Sequence, residues 1–172
     1  MFDKLINFLI ELKDDVIPLR VVNEWESGVR MRGGKFHKSV SAGIRFKIPF
    51  LDKIFTCYNI TRTLHPHAQT LTTLDQKAIV LKSIIRYHVK DAKTFLLTMN
   101  TASDVLIDTT QGIIKETIEK MKWDELTGVD DIITEKTKEM VEKWGIEIEK
   151  VTLTDLGLIR TYRLMSDKEI QP

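Results

Sequence analysis

The sequence has one cysteine, Cys57, so no internal disulfide is possible and a reducing compartment fits. It has no apolar run near the ~20 residues that cross a bilayer as a helix. It also lacks the signal-peptide layout of basic head, apolar middle and small-residue cleavage site. No charge sign dominates: 26 Lys+Arg oppose 25 Asp+Glu, a net +1 with pI near 7.8. That balance gives no nucleic-acid footprint, which shows as clustered basic surface. Internal repeats and low-complexity tracts are missing too. What remains is 172 residues, 42% hydrophobic and 30% charged. These are ordinary globular values, enough for one domain or two small subdomains with a core that needs no metal or disulfide.

Residues 1–18 predict an amphipathic helix. Phe2, Leu5, Ile6, Leu9, Leu12 and Val16 follow helical spacing, Phe8 and Ile10 widen the stripe, and Pro18 ends it. Asp3, Lys4, Asn7, Glu11, Asp14 and Asp15 form the polar side. Three roles are open to such a helix: covering its own domain, pairing with another chain, or lying in a membrane interface. The polar side is slightly acidic, so membrane binding would rest on apolar burial.

Residues 19–90 read as a β-rich unit. Turn signals recur at Ser27-Gly28, Gly33-Gly34 and Ala42-Gly43. Ile44, Phe46 and Ile48 alternate with Arg45 and Lys47, which predicts a half-buried strand. From Lys77 to Lys90, Ile79, Leu81, Ile85, Tyr87 and Val89 share one parity. Residues 91–157 then change to an α/β pattern. Asp91 predicts an N-cap, a second helix spans about 103–121 with two apolar stripes, and a third starts at Asp130 and ends at Gly145. The last strand changes parity between Ile148 and Val151, predicting a bulge near Glu149-Lys150. Residues 158–172 form a tail with only a weak helical pattern.

No catalytic group, cofactor cradle or metal site emerges. His65-Pro66-His67 is the best metal candidate, but zinc needs three or four convergent ligands, and an exposed strand edge explains the pair. Cys57 lies in a strand pattern without a nucleophile motif. Asp124-Glu125 and Asp130-Asp131 stand beside helix starts, which points to capping and dipole compensation. Gly33-Gly34-Lys35 lacks the rest of a P-loop and reads as a hairpin turn. Trp25, Trp123 and Trp144 read as packing residues. The apolar tip Pro49-Phe50-Leu51 has two readings: folding back on the β core, or entering a membrane beside the residue 2–16 helix.

Three ordered blocks resemble the SPFH domain of the stomatin/prohibitin/flotillin (band 7) family. The first is Gly43-Ile44-Arg45-Phe46-Lys47-Ile48-Pro49-Phe50-Leu51-Asp52, preceded by the strand pair with its Gly34-Lys35 turn. The second is Thr73-Leu74-Asp75 with the strand ending Tyr87-His88-Val89-Lys90-Asp91. The third is the helix-to-strand joint of residues 144–156, opening on Trp144-Gly145.

The resemblance implies an α+β fold, β-rich first and α/β second. It implies a non-enzymatic scaffold, cytoplasmic and peripheral at the membrane, that self-assembles and organises membrane proteins, a membrane protease among them. Charged helix faces between Lys115 and Lys143 would supply its lateral contacts. Phe2, Leu5, Ile6, Phe8, Leu9, Leu12, Phe50 and Leu51 are the expected membrane-contact residues. Members usually carry a membrane anchor before the domain, where residues 2–16 stand here. Members also continue into a long coiled coil, whose start residues 158–172 are expected to be. The alternative is a soluble adaptor that docks on a partner such as a membrane protease without forming a lattice.

Overall fold

A computed structural model describes residues 18–99 and 101–159 of the protein. The architecture is α+β, with strands first and helices between the last two strands. The first five strands are β1 (Leu19–Val22), β2 (Glu26–Arg32), β3 (Lys35–Val40), β4 (Gly43–Phe46) and β5 (Asp52–Tyr58). β2 is central in an antiparallel β3-β2-β5 sheet, and β1 pairs with β4 as a separate ribbon. Gly33 (φ 54°) and Gly34 (φ 78°) make the two-residue β2–β3 turn, where positive φ at both positions matches strand twist.

A second sheet holds β6 (Arg62–Leu64), β7 (Gln69–Thr72), β8 (Ala78–Val89) and β9 (Ile146–Leu158). β8 pairs β6 and β7 along one edge and β9 along the other, all antiparallel. Its predicted parity holds: Ile79, Leu81, Ser83, Ile85, Tyr87 and Val89 are all buried. They face α2 (Ala102–Glu119) and α3 (Val129–Val141), which follow the short α1 (Ala92–Thr98). Leu106, Ile114, Ile118 and Ile133 are buried against this sheet in one cluster. Each such side chain contributes about 1.5–3 kcal/mol by leaving water.

Two expected details differ. The buried face of α2 is one broad stripe of Leu106, Thr110, Ile113, Ile114, Thr117 and Ile118, and Val105 is exposed. The threonines fit this stripe because Thr110 returns its hydroxyl to the Leu106 carbonyl at 2.8 Å. The N-cap of α3 is Gly128, at φ 80°, with Asp130 and Asp131 in the first turn.

The predicted bulge is present. Arg86 pairs with Lys150 and Tyr87 with Ile148, which leaves Glu149 unpaired; a second shift leaves out Thr154. The outer edge of β9 is closed by α3. Val151 N–H donates to Thr134 Oγ1 at 3.0 Å and Leu153 N–H to Asp130 Oδ1 at 3.2 Å. Side chains of α3 thus take the place of another strand where β9 has its free ladder groups. Thr134→Val keeps shape but leaves the buried Val151 amide without its acceptor. It is expected to cost about 1–3 kcal/mol in urea unfolding, and Thr134→Ser is expected to recover most of that.

Candidate functional site

The β1–β4 ribbon departs most from the expected burial. In register, Leu19 opposes Phe46 and Val21 opposes Ile44, so all four share one face. That face points outward: Val21 is 62% exposed, Phe46 60% and Ile44 71%. The strand after Gly43 is therefore real, but its apolar parity is the outer one. The inner parity carries Val22, which is buried, and the ribbon is fixed below by Arg30. The Arg30 guanidinium is buried and donates to the Phe46 carbonyl, while its Nε has no hydrogen-bond partner among the described residues. A buried guanidinium needs acceptors, and a strand-end carbonyl supplies one.

β4 runs directly into the Pro49-Phe50-Leu51 tip. Phe50 is 77% exposed and Leu51 55%. Of the two readings of this tip, folding back on the β core is excluded by that exposure. The tip is nonetheless tightly held. Asp52 N–H donates to the Ile48 carbonyl at 2.9 Å, and Ile48 N–H donates back to Asp52 Oδ2 at 3.1 Å. The Asp52 side chain is fully buried and accepts Arg32 Nε at 2.7 Å and Nη2 at 3.1 Å, a bidentate pair. Gly33 N–H donates to the Leu51 carbonyl at 3.0 Å, tying the tip to the β2–β3 turn.

The hydrogen-bonded Arg32 holds the Asp52 carboxyl far below the usual carboxylate range against the opposing effect of desolvation, with help from Ile48 N–H and Arg30. Phe50 sits at φ 62°, a conformation bulky residues avoid, at a cost of about 1–3 kcal/mol. The network around Asp52 over-determines that backbone and keeps the phenyl ring pointed into solvent.

The other quoted blocks are locks of the fold. Thr73 Oγ1 accepts Lys77 N–H at 3.2 Å, and Asp75 Oδ1 accepts Trp123 N–H at 3.2 Å. Leu74 N–H donates to the Met121 carbonyl at 2.9 Å, so this turn clamps the end of α2. Asp91 caps α1 through Lys93 N–H at 2.9 Å. Gly145 stands at φ 73°, and its carbonyl accepts both Lys90 N–H and Asp91 N–H.

The remaining candidates do not converge. His65 and His67 are exposed around a buried Pro66, between β6 and β7. Among the described residues no group of three or more His, Cys, Asp or Glu side chains is arranged to hold a metal ion. Cys57 lies on β5 with Sγ 3.5 Å from the Ser27 carbonyl, and burial pushes its thiol pKa up. A cleft of about 620 Å³ beside α1 and α3 is lined by charges of both signs, including Lys90 and Glu147, which pair at 3.1 Å. Asp130, predicted to compensate a helix start, also reaches the β9 edge. Trp123 and Trp144 pack on the core, and Trp25 is exposed. The expected contact residues Phe2, Leu5, Ile6, Phe8, Leu9 and Leu12 lie outside the described residues. Sequence reasoning missed the outward ribbon, for which only the equal parity of Leu19/Val21 and Ile44/Phe46 gave a signal.

Comparison with known proteins covers nearly the same span. A family model described as SPFH domain / Band 7 family matches residues 20–164. An uncharacterized protein of Methanocaldococcus jannaschii is 27% identical over 156 residues, 88% of this chain and 78% of that relative. Protein HflK of Haemophilus influenzae is 26% identical over 139 residues, which is 80% of this chain but only 32% of HflK. An uncharacterized protein of Archaeoglobus fulgidus is 26% identical over 147 residues, 81% of this chain and 58% of the relative. Among the described residues no helix is long and apolar enough to cross a membrane.

Proposed function

Because the chain belongs to the SPFH domain / Band 7 family, we propose that it is a non-enzymatic scaffold that self-associates at a membrane surface and organises membrane proteins there. The observation that carries this reading is the exposed Phe50-Leu51 tip, held by a buried ion pair beside an outward apolar ribbon. Exposing such a surface to water is unfavourable, and fixing it there with a strained backbone adds to the cost. Insertion into the headgroup–acyl boundary removes the first penalty. Phe50 and Leu51 contact the acyl region, and the stripe Phe2, Leu5, Ile6, Phe8, Leu9 and Leu12 adds apolar area from residues 1–18. Exposed charged faces of α2 and α3 supply the lateral contacts between copies, and a membrane protease is one partner such a lattice would hold.

Vesicle flotation tests the membrane part. Phe50→Asp/Leu51→Asp is expected to lower partition at least ~100-fold while leaving thermal unfolding nearly unchanged, since neither side chain is buried in the fold. Equal flotation of the variant and the parent chain would remove the tip from the site. Solution mass tests the assembly part: a strict monomer at high concentration, recovered with one stoichiometric protein partner from a lipid-free extract, would favour the adaptor alternative.

A further inference from the structure

The near-neutral net charge hides a separation. Residues 18–58 hold eight Lys/Arg against three Asp/Glu, a net +5, whereas residues 59–159 hold thirteen against sixteen, a net −3. The positive unit is β1–β5, the one that bears the apolar tip. None of its acids presents a solvent-facing carboxylate at that tip. Asp52 is buried beneath Arg32, and Glu24 and Glu26 lie at the start of β2, seven residues long, whose other end meets the tip. At about 3.3 Å per residue that places them roughly 20 Å away, beyond a physiological Debye length of about 8 Å.

At the tip end, register puts Lys35 opposite Arg32 and Lys53 opposite Met31. Both lysines are exposed. Met31, Phe50, Leu51 and Phe55 line a notch of about 320 Å³ together with Lys53. Among the described residues, the same end of the sheet therefore presents apolar side chains, an apolar notch and two ammonium groups beside which β1–β5 places no surface carboxylate.

We infer that this end of the β1–β5 unit selects anionic phospholipid: Phe50 and Leu51 enter the acyl region, the notch shields an acyl segment, and Lys35 and Lys53 bind headgroup phosphates. The inference rests on the membrane reading above and adds the chemistry of the lipid. Charge complementarity commits it to a lipid surface. A nucleic acid would use the cations but not the apolar tip, and the acidic, charged surface of a second copy would leave the exposed Phe50 and Leu51 without an apolar partner.

Partition of the full chain is measured at about 0.1 M salt into phosphatidylcholine vesicles and into vesicles with about one third phosphatidylglycerol. The anionic vesicles are expected to bind more tightly, with the excess lost as salt rises. Lys35→Gln/Lys53→Gln is expected to weaken binding to anionic vesicles about 30-fold and to leave phosphatidylcholine binding unchanged. Lys82→Gln/Lys150→Gln, the same charge change at two exposed positions on β8 and β9 of the acidic unit, is expected to change neither.

Equal binding to both vesicle types overturns the lipid selectivity and leaves the membrane reading standing. Binding to neither overturns both. A Lys35/Lys53 variant that loses oligomer mass but keeps its vesicle preference assigns these lysines to a second copy and overturns the inference. Tighter binding to duplex DNA than to anionic vesicles overturns it as well. Both lysines are exposed, so the variants are expected to unfold at the parental temperature, which circular dichroism checks.

Discussion

Gly145→Ala is expected to cost about 3–5 kcal/mol of folding stability, among the largest effects of a single methyl group in this chain. Two penalties combine at this position. The backbone stands at φ 73°, where an L side chain costs about 1–2 kcal/mol. A Cβ there would also lie 2.5 Å from the Asp91 carbonyl oxygen and 3.2 Å from Phe95 N, both backbone atoms that cannot swing aside. Relief requires α1 to move away from the joint, which weakens the Lys90 and Asp91 amide bonds to the Gly145 carbonyl. Gly128→Ala separates the two penalties, because φ is 80° there but nothing lies within 4 Å of the added carbon. It is expected to cost only about 1–2 kcal/mol. Gly157→Ala, whose Cβ would make an ordinary 3.6 Å contact with Val80, is expected to be nearly neutral. Urea midpoints of the three variants give the comparison; equal losses at Gly145 and Gly128 would show that the contact with Asp91 is not tight.

Asp52→Ala is expected to lower the melting temperature on the order of 10 °C and to free the tip. Removing the carboxylate leaves Arg32 without its bidentate partner, Arg30 more deeply unsatisfied, and Ile48 N–H without its acceptor. Phe50 then loses the contacts that hold it at positive φ, so vesicle binding is expected to fall with the stability even though Phe50 and Leu51 are unchanged. The same ion pair sets a pH dependence. The folded-state pKa of Asp52 is depressed, so its contribution is complete above the unfolded value of about 3.9 and is lost as pH falls toward the lower folded value. Asp75, bonded to Lys77 and Thr73, titrates in the same direction. Stability should therefore decline below about pH 4, and Asp52→Asn should flatten that decline. An unchanged acid limb in Asp52→Asn would place the titration on other carboxylates.

Much of the fold was legible because local periodicity is a direct record of burial. The β8 alternation, the bulge at Glu149, the Asp91 cap and the Gly145 stop each depend on residues within a few positions of one another. Long-range pairing was not legible in this way. Nothing in the order of residues shows that Asp130 and Thr134 turn from their helix to cap the edge of β9. Nor does it show that Asp52 is a buried clamp, although the residue is visible as part of a motif. The candidate site was half legible: Phe50 and Leu51 stood out as a costly apolar pair between strands, whereas Ile44 and Phe46 read as one face of a half-buried strand.

The sequence by itself determined the α+β order, the family and the positions of the locks, because turns, caps and strand parity are local properties of neighbouring residues. Only the tertiary structure decided which face of the β1–β4 ribbon meets solvent. An alternating strand distinguishes its two faces but carries no sign. The sign is set when Val22 is buried and Arg30 takes the Phe46 carbonyl, leaving the apolar parity outside. The same folding brings Lys35 of β3 and Lys53 of β5 to the end of the sheet that bears the tip, a placement set by strand pairing and not by their positions along the chain.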